Sequence, residues 1–194
     1  DRTRGKLAAP AGSGFERGRF QAAIVQYFSK YLRISEKISM NALDRSILLR
    51  LQADASQNLQ QLAQAVGLSP SACHRRIKAL EETGVIRGYA AQLDRAGVGL
   101  TVELFVSVSL VSQAAETLEA FEKAIRAVPD VVACHLLAGR ADYLVQLVVG
   151  DMAEFERIHR EKLSRLPGVA TMTTSFSLRT VKAFRGYPVG GVIL

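Results

Sequence analysis

Hydroxyl, imidazole and positively charged side chains are concentrated in one short stretch near the middle of the chain, SPSACHRRIK. Arginine and lysine bind phosphate groups and can donate hydrogen bonds to guanine, and small residues let a helix approach base edges. On a helix, at about 100° per residue, Ser71, Arg75 and Lys78 share one side, with His74 and Arg76 at its flanks. This combination indicates a surface that binds nucleic acid.

Two short helices joined by a tight turn are predicted to position these side chains. Asn58 can cap the first helix, and Gln61 three residues later gives the spacing of a capping box. Gly67 suits the left-handed conformation that ends a helix. Ser69 can cap the second helix, with Pro70 at its first position, where no amide hydrogen is needed. The sequence therefore predicts a helix-turn-helix.

Apolar residues recur at helical spacing in both helices and give each of them an inner face. They are Leu59, Leu62, Ala63 and Val66 in the first helix and Cys73, Ile77 and Leu80 in the second. A preceding helix at residues 44–51 would pack across the pair. A short strand would follow at residues 85–89, and residues 87–94 would form the wing and exit strand.

Helix, turn, helix and strand are the layout of a winged helix-turn-helix, whose second helix enters the major groove of double-stranded DNA. A plain helical hairpin with a basic face in solvent is the alternative interpretation. The predicted DNA contacts are Ser69, Ser71, His74, Arg75, Arg76, Lys78 and Arg87.

The distribution of charge favours the same half of the chain. The 194 residues carry a formal net charge of +7. Residues 1–39 hold eight basic and three acidic residues, residues 40–98 hold seven and five, and residues 99–194 hold ten of each. The basic excess beyond residue 39 therefore lies with the helix-turn-helix, as a DNA-binding surface requires.

The cysteine spacing and the hydropathy limit the cellular compartment and the kinds of site that we expect for this protein. Cys73 and Cys134 form no CxxC or other metal-binding spacing, so we expect two buried structural thiols in a reducing cytoplasm. No apolar run reaches the roughly 18–20 residues of a membrane span. We expect a cytoplasmic, nucleoid-associated protein with no metal, no cofactor and no membrane contact.

The hydrophobic pattern changes from helical to alternating after Gly99. Strands are predicted at 102–110, 131–138, 143–149 and 169–182, with helices at 115–127 and from a cap at Asp151 to beyond Leu163. The order β-α-β-β-α-β is that of the ferredoxin-like fold. The whole chain is therefore predicted to be of the α+β class.

Both helices of a ferredoxin-like domain lie on one face of its sheet. The alternating strands leave apolar residues on the other face, with nothing in the chain to cover them. A second copy of the chain is the expected cover, so we predict a homo-oligomer.

Residues 1–39 stand apart from both domains and are predicted to be dispensable for folding. Residues 1–14 have the composition of a flexible segment. The interval from Phe15 to Ile38 allows an amphipathic helix, because its apolar residues recur at spacings of three and four from Phe20 onwards. This segment is either an arm that packs on a partner or translated sequence upstream of a start at Met40. The predicted domains are 40–94 for the winged helix-turn-helix, 95–99 for a hinge, 100–182 for the ferredoxin-like domain and 183–194 for a tail.

Four stretches of residues 43–182 resemble the Lrp/AsnC family, the leucine-responsive or feast/famine type of transcription regulator. They are LDRSILLRLQ, LAQAVGLSPSACHRRIKALEETGVIRGY, CHLLAGRADYLVQLVV and LPGVATMTTSFSLRTVK. The resemblance implies a DNA-binding regulator rather than an enzyme. It also implies a RAM/ACT-like C-terminal domain that forms dimers, often assembled into tetramers or octamers, and senses an amino acid or similar small molecule.

The resemblance also places an effector site in one turn of the C-terminal domain. Many relatives have Gly-Asp-x-Asp-Tyr there, whereas this chain has Gly139, Arg140, Ala141, Asp142 and Tyr143. Thr174 matches a threonine that relatives place near the ligand. Backbone amides and Asp142 would bind the carboxylate and ammonium of an amino acid. Arg140 either holds a second carboxylate or extends into solvent, and the alternative for the whole turn is a simple hairpin without a ligand.

Two other functions share this architecture. Siroheme decarboxylases have the same two-domain layout, and such an enzyme would need His or Arg residues around a tetrapyrrole. The three histidines, His74, His135 and His159, fall in different predicted elements and show no convergence. A regulator that responds to no ligand is the third hypothesis.

Overall fold

The fold is known from a computed structural model, which describes residues 40–189. The helix considered within residues 1–39, and residues 190–194 of the predicted tail, lie outside the described residues. The described elements are α1 (Ala42–Ala53), α2 (Leu59–Ala65), α3 (Pro70–Glu82), β1 (Val102–Leu110), α4 (Ala115–Arg126), β2 (Val131–Leu136), β3 (Tyr143–Val149), α5 (Met152–Glu161), a 3-10 helix (Leu163–Arg165) and β4 (Val169–Phe176).

The predicted helix-turn-helix forms with the caps that its residues indicate. Asn58 and Gln61 make both hydrogen bonds of a capping box at the start of α2. Gly67 adopts a φ of +69° in the turn, the left-handed conformation that glycine tolerates. Ser69 caps α3 through its hydroxyl, and Pro70 is the first helical residue. Local interactions therefore set the start of each helix and the turn between them.

The three N-terminal helices bury one apolar cluster. Its buried members are Ile47, Leu48, Leu62, Ala63, Val66, Cys73 and Leu80. Partly buried Leu51, Leu59 and Ile77 pack against it, so the inward faces predicted from the spacing are confirmed. Helix α1 begins two residues earlier than predicted because Asn41 and Asp44 form a further capping box.

The second half of the chain forms the predicted ferredoxin-like domain. Its four strands make one antiparallel sheet in the order β2-β3-β1-β4. Alternate residues of β1 and β3 are buried, as the alternating pattern predicted. Phe121 of α4 stacks on Tyr143 with ring centroids 4.5 Å apart, and Phe155 of α5 packs edge-on against Phe176. Both helices therefore cover the same face.

The opposite face of the sheet carries no helix of residues 40–189. Phe105, Leu144 and Val148 lie on it and are only partly buried. Polar side chains stand among them, including Gln146, whose amide donates a hydrogen bond to Glu103 at 2.8 Å. The predicted uncovered face is thus present in this part of the chain, with a more polar surface than the strand pattern suggested.

The short strand predicted at residues 85–89 and the exit strand predicted within 87–94 are wrong, because no strand forms there. A strand needs a neighbour for its backbone hydrogen bonds, and every described strand belongs to the sheet between residues 102 and 176. Val85 and Ile86 pack on the helical core instead, and the amide of Ile86 donates to the carbonyl of Leu80 at 2.9 Å. Their apolar character reflects contact with helices.

Two other elements are shorter than predicted because their pairing ends early. Strand β2 stops at Leu136 rather than at residue 138, since its partner β3 begins at Tyr143, opposite Leu136. Strand β4 stops at Phe176 rather than at residue 182, because its pairing with β1 ends at Leu104, opposite Phe176. Helix α5 also ends early, and Leu163 begins a separate 3-10 helix.

Candidate DNA-binding surface and effector turn

The side of α3 that faces away from the helical core carries most of the predicted DNA contacts. Ser71, His74, Arg75 and Lys78 are exposed, whereas Cys73 on the opposite side is fully buried. The side chains of His74, Arg75 and Lys78 make no hydrogen bond or ion pair with any residue of the described range. Their donors are therefore free to bind a negatively charged ligand.

The start of α3 is also open to solvent. The hydroxyl of Ser69 accepts a hydrogen bond from the amide of Ala72 at 3.3 Å and lies 3.2 Å from the hydroxyl of Ser71. A helix N-terminus carries a partial positive charge and binds phosphate through its backbone amides. Ser69 therefore caps α3 at the end where a phosphate would be favoured.

An ion pair separates Arg76 from the other predicted contacts. Its Nη1 atom lies 2.8 Å from Oδ1 of Asp44 in α1, and the two side chains are 32% and 14% exposed. The second oxygen of Asp44 accepts the backbone amide of Asn41 at 3.1 Å. Arg76 is thus held against α1 at the edge of the basic face.

Arg87, the last predicted contact, lies beyond the end of α3 and is exposed. The nearby Tyr89 hydroxyl donates a hydrogen bond to Glu81 of α3 at 2.9 Å. Burial, together with the Glu81 carboxylate, raises the pKa of Tyr89. This hydrogen bond ties the segment that carries Arg87 to the C-terminal end of α3.

In the predicted effector turn, Asp142 already has partners within the chain. Its Oδ2 atom accepts the backbone amide of Leu110 at 2.7 Å, and its Oδ1 atom accepts the side-chain amide of Gln113 at 2.8 Å. Its own amide donates to the carbonyl of Val108 at 2.9 Å. Asp142 therefore fastens the turn to the end of β1. Each carboxylate oxygen has two lone pairs, so each keeps one acceptor position for a ligand.

The remaining turn residues occupy different settings. Gly139 and Arg140 are exposed and Ala141 is partly buried, and the amides of all three donate no hydrogen bond within residues 40–189. Tyr143 is only 2% exposed, and its hydroxyl donates to Glu122 at 3.1 Å. The turn therefore presents free amides, and it is followed by a tyrosine that belongs to the core.

Thr174, the other residue implied by the family resemblance, is not brought to this turn within one chain. It lies in β4 and pairs with Val106 of β1, which pairs on its other side with Val145 of β3. Neighbouring strands are about 4.8 Å apart, so Thr174 lies roughly 10 Å from β3.

A groove of about 390 Å³ between α4 and β2 has no signal in the sequence, because helix and strand residues meet there only in the fold. Its polar groups come from Glu122, Arg126, Cys134 and Tyr143. Burial, and secondly the charge of Glu122, raises the pKa of the Cys134 thiol to about 11, although Arg126 opposes the shift. The thiol is therefore protonated at neutral pH and is not a nucleophile there.

The described range offers neither a metal-binding cluster nor a membrane-spanning helix. No group of His, Cys, Asp and Glu residues there could hold a metal ion. No helix in that range is long and apolar enough to cross a membrane. The three histidines lie on α3, β2 and α5.

Comparison with known proteins matches both halves of the chain. Residues 40–87 match the family described as winged helix-turn-helix DNA-binding, and residues 103–187 match the Lrp/AsnC ligand binding domain. The proline dehydrogenase transcriptional activator of Rhodobacter capsulatus is 39% identical over 142 residues, which cover 73% of this chain and 92% of that protein.

The chain belongs to the Lrp/AsnC family of transcriptional regulators. The leucine-responsive regulatory protein of Haemophilus influenzae is 37% identical over 144 residues, covering 74% of this chain and 87% of that protein. The solved structure of a transcriptional regulator from Neisseria meningitidis in complex with L-Met is 34% identical. It has a TM-score of 0.74 and covers 78% of this chain and 97% of that one. This Lrp/AsnC chain is a DNA-binding transcriptional regulator with a ligand-binding domain.

Proposed function

We propose that this Lrp/AsnC regulator binds operator DNA through the outward face of α3, as a homodimer, and responds to an amino acid. The main support is the exposure of His74, Arg75 and Lys78, whose side chains have no partner in the described range. These residues lie on a helix whose N-terminus is open to solvent. In a helix-turn-helix, the second helix lies in the major groove with its N-terminal residues at the base edges. Such a protein would act on the nucleoid in the cytoplasm.

Each basic residue of the surface has a distinct proposed role. Arg75 would donate two hydrogen bonds to a guanine, the commonest base-specific contact of arginine. Lys78 and Arg87 would neutralise phosphates, which adds affinity without sequence preference. Arg76 would contact the DNA backbone from the edge of the surface, with one of its nitrogen atoms committed to Asp44. Ser69 and Ser71 would bind phosphate at the helix N-terminus, and His74 would flank the contact.

A second copy of the chain is the proposed cover of the open sheet face. Phe105, Leu144 and Val148 on that face support this, because partly exposed apolar residues gain stability when they pack on a partner. A two-fold dimer would present two α3 helices to two half-sites of an operator. Further assembly into tetramers or octamers is a separate step, implied by the family resemblance.

The proposed effector is an amino acid at the turn of residues 139–143. The Neisseria meningitidis relative, solved in complex with L-Met, supports this class of ligand. The free amides of Gly139, Arg140 and Ala141 suit a carboxylate, and the remaining lone pairs of Asp142 suit an ammonium group. Thr174 would join such a site only from another copy of the chain.

A mobility-shift assay with the DNA upstream of the protein's own gene tests the proposal. The wild-type protein should retard this DNA in preference to an unrelated duplex, and one or more of the common amino acids should alter the retardation. A preferential shift that no amino acid changes would contradict the effector and favour the ligand-independent regulator. Equal retardation of both duplexes would contradict specific recognition.

A further inference from the structure

The last described residues return to the DNA-binding domain. Gln52 of α1 uses both ends of its side-chain amide, since Nε2 donates to the carbonyl of Tyr187 at 3.0 Å and Oε1 accepts the amide of Tyr187. Arg45, two turns earlier, donates from Nη1 to the carbonyl of Val189 at 3.0 Å. Val189 also packs against the apolar cluster of the three helices. Residues 186–189 therefore form a strap docked along α1.

Gly186 permits the close approach of the strap. Its φ of +113° is a conformation that residues with a side chain rarely adopt. A Cβ atom at this position would lie 2.5 Å from Oε1 and 2.7 Å from Cδ of Gln52. Any residue larger than glycine would therefore displace the Gln52 side chain from the strap.

The strap gives the DNA-binding domain a second connection to the sheet. The first connection is the predicted hinge at residues 95–99, where Nη2 of Arg95 lies 3.3 Å from Oε2 of Glu103 in β1. The second runs from the end of β4 through residues 177–185 to α1. A domain attached at one point can rotate about it, whereas attachment at two points restricts it to fewer orientations.

Helix α1 links the strap to the helix that carries the basic face. Arg45, which binds the strap, directly follows Asp44, which holds Arg76 of α3 at 2.8 Å. We propose that Gln52, Arg45 and Gly186 are positioning residues for DNA recognition. Through them the strap sets the orientation of α3 relative to the sheet. In the proposed dimer, on which this inference rests, it also sets the separation of the two α3 helices.

With the strap in place, we expect the affinity for operator DNA to depend on the spacing of its two half-sites. Gln52→Ala and Gly186→Ala each break the contact between Gln52 and the strap, from its two sides, without changing charge. Gln64→Ala is the matched control, because Gln64 is exposed on α2 and its side chain makes no hydrogen bond in the described range. Binding is measured to operators whose two half-sites are separated by zero to ten inserted base pairs, and to a single half-site.

Wild type and Gln64→Ala should bind one spacing much more tightly than the others. Both strap variants should bind that operator roughly tenfold more weakly, because a domain that is no longer preorganised loses more freedom on binding. They should also lose the spacing preference and keep the single half-site affinity. The double variant should be no weaker than either single variant, because both substitutions break one contact.

Two results would overturn the proposal. One is an unchanged spacing profile in both strap variants. The other is a lower half-site affinity with the spacing preference intact, which would mean that the strap only stabilises the DNA-binding domain.

Sedimentation of the wild type tests the dimer separately. A monomer would contradict the proposed dimer. In that case ¹⁵N relaxation would test whether the strap fixes the orientation of the DNA-binding domain relative to the sheet. Common tumbling of the two domains in wild type, with faster tumbling of the DNA-binding domain in Gln52→Ala, would support it. Separate tumbling in wild type would overturn it.

Discussion

Asp44 of α1 and Arg76 of α3 form an ion pair in which Oδ1 and Nη1 lie 2.8 Å apart. The same carboxylate accepts the amide of Asn41 and so completes the capping box of α1. One side chain therefore starts the first helix and holds the third against it. The pair also leaves Arg75 and Lys78 as the basic residues of α3 whose side chains have no partner in the described range.

Replacing Asp44 should separate its two roles. Asp44→Ala removes half of the capping box and the ion pair, so the free energy of unfolding should fall by about 1–2 kcal/mol. Asp44→Asn keeps an oxygen for the cap and loses only the charge, so its loss should stay below about 1 kcal/mol. Urea denaturation measures both. Equal losses in the two variants would show that the cap contributes nothing.

Substitutions at two positions of the turn of residues 139–143 should lower the free energy of unfolding by unequal amounts. Asp142→Ala leaves the backbone amide of Leu110 and the side-chain amide of Gln113 without their acceptor. The free energy of unfolding should therefore fall by about 1–3 kcal/mol. Arg140→Ala changes an exposed side chain and should cost less than about 0.5 kcal/mol. Thermal or urea unfolding gives both values, and similar losses would contradict the structural role of Asp142.

Calorimetric titration of the same two variants with the common amino acids tests the effector site. At a temperature where Asp142→Ala is folded, it should bind no amino acid, because the ammonium group has lost its partner. Arg140→Ala should weaken the binding of an acidic amino acid only, because Arg140 would hold the second carboxylate of such a ligand. An amino acid bound equally by Asp142→Ala and wild type would rule out this site.

The thiol of Cys134 should react slowly with iodoacetamide at neutral pH. Its pKa is raised from 9.0 to about 11, first by burial and then by Glu122, so the reactive thiolate forms only in alkaline solution. Mass spectrometry of the Cys134 peptide should give a rate profile with its midpoint near pH 11. Glu122→Gln should lower that midpoint and Arg126→Gln should raise it. Shifts in the same direction would contradict the assignment.

The raised pKa of Cys134 also predicts the sign of a pH effect on stability. Folding favours the neutral thiol, so this contribution is fully present below pH 9 and is lost as the pH rises through about 11. The difference in unfolding free energy between wild type and Cys134→Ala should therefore shrink between pH 9 and 11. A difference that grows in this range would show that the thiol is not desolvated.

The open face of the sheet should determine the oligomeric state. Leu144→Gln places a polar group on the proposed interface and should weaken dimers roughly tenfold to a hundredfold, the effect of losing one buried leucine. Met152→Gln on α5 is the control, because Met152 is 52% exposed on the other side of the sheet. Sedimentation at several concentrations measures both. Unchanged dimers in Leu144→Gln would place the interface elsewhere.

Local chemistry explains the parts of the fold that could be predicted from the sequence. Asn58, Gly67 and Ser69 set helix ends through contacts within three or four residues, so their spacing is visible in the sequence. The alternation of β3 is equally local, and its ends at Tyr143 and Val149 are those predicted. The end of β2 depends on where its partner β3 begins, which cannot be read from the sequence of β2 alone.

Long-range contacts account for what the sequence did not show. Arg76 meets an aspartate 32 positions earlier, and Gln113 meets Asp142, 29 positions later. The strap contact between Gln52 and Tyr187 spans 135 positions. None of these pairs follows from a helical or strand period, because each depends on how separate elements pack. The exposed basic face of α3, in contrast, follows from the period of one helix.

The basic face of α3 is the proposed DNA-binding surface, and its residues should differ in the kind of binding they support. Arg75→Ala should weaken binding to operator DNA by roughly 1–3 kcal/mol and relax the preference for one base. Lys78→Ala should weaken binding to all duplexes alike and lower the salt dependence by about one counterion. Arg165→Ala is the charge-matched control, an exposed arginine in the 3-10 helix of the ligand-binding domain.

The most direct test is a fluorescence-anisotropy titration of operator and unrelated DNA at several salt concentrations. It compares wild type with Arg75→Ala, Lys78→Ala and Arg165→Ala, after sedimentation has shown the same oligomer for all four. We expect loss of specificity in Arg75→Ala, a uniform loss of affinity in Lys78→Ala and wild-type binding in Arg165→Ala. Wild-type binding by both Arg75→Ala and Lys78→Ala would contradict the assignment of α3 as the DNA-reading surface.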